Sequence, residues 1–225
     1  MAGQKKTVIA CEALRLEMEK VIAGSDVDLR LVEVALHRYP PQMPARLNEC
    51  IKQAEADGAG EIIMGYGLCS HGVNGLSSRR SLRIARCHDC LGLLLGSSAR
   101  HQQILARWPG ALYMFAGLVE AAFDPLSILE REHIPRMGEK KARRAMEITF
   151  KNYTHFAYIE NQAATDPKYK KRFLENCRAF GKEPLSLYAD LDYFARLVSG
   201  SDLYPEAFIN LAAGELLTSE AFFDK

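Results

Sequence analysis

The sequence predicts an α/β protein, built on a mostly parallel sheet covered by helices. Three observations predict it. Short runs rich in β-branched residues alternate along the chain with longer segments of helical spacing. Glycine and proline mark the boundaries between the two kinds. Strands separated by helices are joined by crossovers, and crossovers force parallel pairing.

Each element follows in order. Residues 7–11 (TVIAC) read as a buried strand, and Leu14, Met18, Val21 and Ile22 then share one helical face. Gly24, Ser25 and Asp26 stop that helix, and residues 27–37 (VDLRLVEVALH) alternate at period two as the second strand. The proline-rich RYPPQMP is expected to be irregular. Pro44 suits the first turn of a helix carrying Leu47, Ile51 and Ala54, which Gly58 and Gly60 end. Residues 61–66 and 81–86 read as strands three and four, with the glycine-rich loop GLCSHGVNGLSS between them. One helix is expected from about Asp89 to Arg107, then a strand over residues 111–116. Residues 126–150 read as mostly helical, broken near Pro135 and Gly138. Strands over 155–159 and 185–189 and helices over 167–180 and 192–198 follow, with a last edge strand at 208–211. The whole is a Rossmann-like layered architecture, expected as one domain over residues 1–225. If it has two lobes, they meet near residues 118–127, at about 1–120 and 121–225.

Composition excludes several classes of function. Hydrophobic content of 48% and charged content of 25% are those of a globular protein. A formal net charge of +1 gives no general attraction to nucleic acid or to an anionic membrane. The longest apolar runs, such as residues 91–95, are too short to span a bilayer. Residues 1–7 are polar and basic and run straight into a strand, so no secretory signal is expected and a cytoplasmic location is.

Six cysteines in such a chain are poor material for a disulfide framework. Their positions are informative. Cys11 ends strand one, His37 ends strand two, Cys69 follows strand three, and Cys87, His88 and Cys90 follow strand four. Carboxyl ends of parallel strands share one edge, and ligands bind at that edge. Thiolate and imidazole suit zinc or an iron–sulfur cluster better than magnesium or calcium. Two other readings compete. A CxxC opening a helix is the arrangement of a redox dithiol, and small apolar cysteines also simply fill space. Cys50 and Cys177 fall on helices away from the edge and read as packing; His101, His133 and His155 have no such company. His71, two residues after Cys69, reads as a ligand, an acid/base group or a solvated side chain, the last slightly favoured. Gly65 and Gly67 allow close backbone approach to a metal or ligand, or make a tight turn. Arg86 is placed to meet a carboxylate or phosphate, although a salt bridge within the fold is the commoner use.

The strings Ile9-Ala10-Cys11-Glu12, Gly65-Tyr66-Gly67-Leu68-Cys69 and Arg86-Cys87-His88-Asp89-Cys90, followed by LLLGS at 93–97, resemble a bacterial and archaeal domain of unknown function. Its members are often found beside corrinoid proteins and methyltransferases in anaerobic one-carbon metabolism. The family's histidine followed by a proline is matched by His37 and Pro40, its YGLC cysteine by Cys69, and its HDC triplet by His88, Asp89 and Cys90. Cys87 falls at a variable position. With the resemblance, the expected ligands are Cys11, His37, Cys69 and Cys90, holding zinc or, alternatively, an iron–sulfur cluster. His88 is the expected proton carrier; Asp89 either orients it or caps the helix that follows. The resemblance implies a role in methyl or one-carbon transfer, with a small thiol or a methyl donor as substrate and a corrinoid protein or methyltransferase as partner. A non-catalytic metal or cofactor carrier, or an accessory subunit, is the alternative.

Overall fold

Strand β1 (Lys6–Cys11) buries four consecutive residues, from Thr7 to Ala10. Burial on both faces is the mark of a central strand in a sheet with covered faces. The protein is described by a computed structural model, over residues 5–200 and 205–223. After a 3-10 turn, β1 leads into α1 (Arg15–Ile22), β2 (Val27–Val32), α2 (Met43–Ala56), β3 (Glu61–Gly65) and β4 (Ser81–Ala85). Next come α3 (Cys90–Leu94), α4 (Ser98–Arg107), β5 (Ala111–Phe115), α5 (Ala116–Glu120), α6 (Pro125–Ile128), α7 (Ile134–Met137) and α8 (Glu139–Phe150). The chain continues through β6 (His155–Glu160), α9 (Pro167–Phe180), β7 (Glu183–Tyr188), α10 (Asp192–Ser199) and β8 (Phe208–Leu211).

The strands form two sheets. The first has the order β2-β1-β3-β4-β8 and is parallel except for β8, which pairs antiparallel with β4. The second, β5-β6-β7, is parallel throughout. The chain divides accordingly into two compact units, one of Met1–His101 with Asp190–Lys225 and the other of Gln102–Ala189. The architecture is therefore the expected α/β one, with a mostly parallel sheet flanked by helices. In the first unit Leu47, Ile51 and Ala54 of α2 are fully buried with Ile9, Ile62, Met64 and Ile84. On the other side of the sheet Gly65 lets α1 approach: a Cβ there would stand 2.6 Å from Ala10 Cβ and 2.7 Å from Met18 Cε. Chain order reverses about β1, between β2 and β3, and in open parallel sheets such a reversal is where ligands bind.

Several elements differ from the sequence expectation. The second strand stops at Val32 instead of reaching residue 37, because Val32 pairs with Cys11, the last residue of β1, and no partner strand lies beyond it. Residues Val34–Arg38 form a 3-10 helix, so His37 does not end a strand. The RYPPQMP segment is not wholly irregular, since Pro40–Gln42 makes a further 3-10 turn into α2. The single helix expected from Asp89 to Arg107 is two, broken where Gly96 takes a φ of 85°. In the second unit Gly138, at φ 79°, makes the expected break. Pro135 instead opens α7 just after a π-helical turn, Leu129–His133.

Candidate functional site

Two loops meet at the carboxyl edge of the first sheet, and backbone contacts join them. After β3, the Leu68 amide donates to the Cys87 carbonyl and the Cys69 amide to the His88 carbonyl, both at 2.8 Å. Gly67 makes this possible: a Cβ would stand 2.6 Å from the Cys87 oxygen and 2.8 Å from the Asp89 nitrogen. The close backbone approach that Gly67 permits is thus between loop and loop.

Cys69, Ser70 and His71 then take φ angles of 48°, 57° and 65°. Three successive non-glycine residues in the left-handed region cost roughly 1–2 kcal/mol each, and such strain persists only where neighbours over-determine it. Within the turn the Gly72 amide donates to the Cys69 carbonyl and the Asn74 amide to the His71 carbonyl, each at 3.0 Å. The C-terminal segment supplies the rest. His71 Nδ1 lies 2.7 Å from Ser219 Oγ, and Asn74 Oδ1 accepts from the Ser219 amide at 2.9 Å and from its hydroxyl at 3.2 Å. The chain is satisfied throughout when His71 Nδ1–H donates to Ser219. His71 is therefore tied down, not merely solvated.

Three thiols from three segments share this edge. Cys11 ends β1, Cys69 sits in the left-handed turn, and Cys90 opens α3. Burial pushes the Cys11 thiol up to about 11 and the Cys69 thiol up to about 12. The Cys90 thiol is also pushed well up, by burial first and then by Cys69 and Cys11. Each of these thiols thus lies within electrostatic reach of another, and charge on one raises its neighbours. Among the described residues, however, no group of three or more Cys, His, Asp or Glu side chains stands arranged to hold a metal ion. His37 is exposed on its 3-10 helix.

The remaining residues of the HDC segment divide by role. Asp89 is the N-cap of α3, accepting from the Leu91 amide at 2.9 Å and the Gly92 amide at 3.3 Å. Its carboxylate also lies 3.6 Å from Nδ1 of His101, which is 4% exposed. Burial holds the His101 imidazole below its ordinary value, and the Asp89 carboxylate opposes that shift. His101 therefore does have company, contrary to the sequence reading. His88 is exposed at the rim, its ring 5.9 Å from that of Phe223. Cys87 is buried, its Sγ 3.2 Å from the Asp89 carbonyl, against Gly92, where a Cβ would meet Cys87 Cβ at 2.6 Å.

Arg86 works inside the fold. Its Nε donates to the Glu206 carbonyl at 2.9 Å and its Nη1 to the Ala221 carbonyl, so it secures the C-terminal segment through backbone oxygens and not through a salt bridge. Tyr66, which sequence reading passed over, is buried beside the thiols. Burial, then the charges of Cys11, Cys69 and Cys50, raise its phenol well above the ordinary value. Cys50 on α2 is thus nearer the edge than its helical position implied, while Cys177 lies in the second unit. That unit has its own cleft of about 310 Å³ at the carboxyl ends of β6 and β7, where Lys170 is paired with Glu160 beside Tyr158 and Tyr188. No helix among the described residues is long and apolar enough to cross a membrane.

No curated protein and no solved structure matches this chain. A family model described as a protein of unknown function, DUF1638, matches residues 31–198, a span that includes His37, Cys69 and the HDC triplet and begins after Cys11. With well over half of its length matched, the chain belongs to the DUF1638 family of proteins of unknown function.

Proposed function

We propose that the thiol-lined edge of the first unit is a metal centre, with Cys11, Cys69 and Cys90 as ligands and His37 or an exogenous group in the fourth position. The observation that carries this reading is the delivery of three thiols to one edge from the ends of three separate strands, with the charge of Cys11 raising both Cys69 and Cys90. Thiols raised by desolvation are poor redox groups, because exchange and oxidation need the thiolate. A cation reverses that situation, since a coordinating thiol is deprotonated outright. Soft sulfur donors select zinc over magnesium or calcium, and an iron–sulfur cluster is the other occupant such a set admits. The side chains are not pre-gathered, so binding an ion draws them together.

The role we assign is methyl or one-carbon transfer, alongside a corrinoid protein or methyltransferase, on the strength of the sequence resemblance. Bound zinc would hold a small thiol substrate as its thiolate at neutral pH. The chain's own groups then divide the remaining work. His88, exposed at the rim, is placed to carry a proton between solvent and the site. Asp89 positions Cys90 by capping α3. Gly67 brings the two thiol-bearing loops together backbone to backbone, while Gly65 packs α1 against the sheet behind them. A carrier or accessory subunit would use the same ligands without turnover.

The test is metal content and absorption of protein purified without oxygen, for the parent chain and for Cys11→Ser, Cys69→Ser and Cys90→Ser. About one zinc per chain, lost in all three variants while the fold is kept, is the expected result. Brown colour with iron and sulfide would replace zinc by a cluster. A metal-free parent, or metal unchanged in the three variants, removes the reading.

A further inference from the structure

The left-handed turn at Cys69 is held from two sides. From one side the His88 carbonyl accepts the Cys69 amide. From the other, Ser219 engages His71 through its hydroxyl and Asn74 through both its amide and its hydroxyl. Ser219 is itself well anchored. The Gly75 amide donates to the Leu217 carbonyl, the Leu217 amide donates back to the Leu76 carbonyl, both at 2.8 Å, and Leu217 and Phe222 are buried. Arg86 holds Ala221 from the β4 side. The segment over residues 214–223 is therefore strapped across the loop that presents the thiol.

We propose that Ser219 is a positioning residue for Cys69. Through its bond to His71 it holds the Cys69-Ser70-His71 turn in the left-handed conformation that directs this thiol to the shared edge. A turn of three non-glycine residues relaxes toward ordinary φ angles once an outside partner is removed. Relaxation at Cys69 changes both the direction of its Cα–Cβ bond and the cover over its sulfur. Ser219 lies about 150 residues along the chain from Cys69, so only the fold brings it to this site. The inference rests on the metal reading only in taking Cys69 as a ligand; the positioning itself is independent of any ion.

The experiment is site-resolved alkylation by iodoacetamide, followed by mass spectrometry, on the full chain as purified and after treatment with a chelator. In chelator-treated Ser219→Ala, Cys69 should be modified about tenfold faster than in the parent, the scale of one lost hydrogen bond. Cys177, buried in the other unit, should keep its parental rate and serves as the reference. His71→Ala, which removes only the His71 bond, should accelerate Cys69 no more than Ser219→Ala does, since the latter also removes the hydroxyl's donation to Asn74. The double variant should be no faster than Ser219→Ala, because the His71 bond is shared by both changes. An unchanged Cys69 rate in Ser219→Ala overturns the proposal. So does acceleration of Cys69 and Cys177 together, or multiplication of the two effects in the double variant. If the as-purified parent holds no metal while Ser219→Ala still frees Cys69, the metal reading falls and the positioning role stands.

Discussion

At the scale of single residues, the six cysteines separate by surroundings more than by spacing. Cys11 raises Cys69 and both raise Cys90, while Cys177 is buried among the residues of α9. Serine or alanine at Cys50 or Cys177 should leave metal content unchanged and cost of order 1 kcal/mol of stability, read by urea unfolding. Loss of metal from Cys177→Ser would show the grouping to be mistaken. The direction of the thiol shifts gives a second expectation, for protein free of metal. A thiol with its pKa at about 11 is almost wholly protonated at neutral pH, so alkylation of Cys11 should rise about tenfold per pH unit from pH 8 to 10. A rate already level by pH 8 would mean a depressed pKa, and so a Cys11 thiol activated without any metal. His101 and Tyr66 show where residue-level reading fell short. Each is a lone residue of a common type, and its relation to Asp89 or to the thiols exists only across the fold. A buried histidine a few turns after an N-cap aspartate was the one available signal, and a helix broken at Gly96 hid it.

At the scale of elements, the two loops of the site stand or fall together. Gly67→Ala places a methyl against the Cys87 oxygen and the Asp89 nitrogen, backbone atoms with no freedom to step aside. The loops must separate, and a loss of about 2–3 kcal/mol is expected, on the scale of overpacked cores. Asp89→Ala removes the cap of α3 and should cost about 1 kcal/mol. Because Cys90 is the first residue of that helix, metal affinity should fall further than stability does. Equal losses in both would reduce Asp89 to a structural cap. The strands were legible because period-two and β-branched runs survive in the sequence, and α2 and α9 were legible from proline at their starts. The end of β2 was not, since alternation continues to His37 and only the length of β1 decides where pairing stops. The left-handed turn was also hidden, because Cys, Ser and His carry none of the glycine signal that normally marks positive φ.

At the scale of the whole molecule, parallel topology does the gathering. Strand ends from residues 11, 65 and 85 reach one edge because β1, β3 and β4 run the same way, and the reversal of chain order at β1 opens a place there. That much of the site followed from strand order alone; which side chains touch did not. The division into two sheets and the return of the C-terminal segment over the Cys69 loop depend on long-range contacts that no local pattern encodes. The most direct test of the central claim is X-ray absorption at the metal edge of protein purified without oxygen. The account predicts three sulfur ligands, at about 2.3 Å if the ion is zinc, falling to two in Cys69→Ser where metal is forced back by excess. A first shell of oxygen and nitrogen alone, or a sulfur count unchanged in Cys69→Ser, would contradict it.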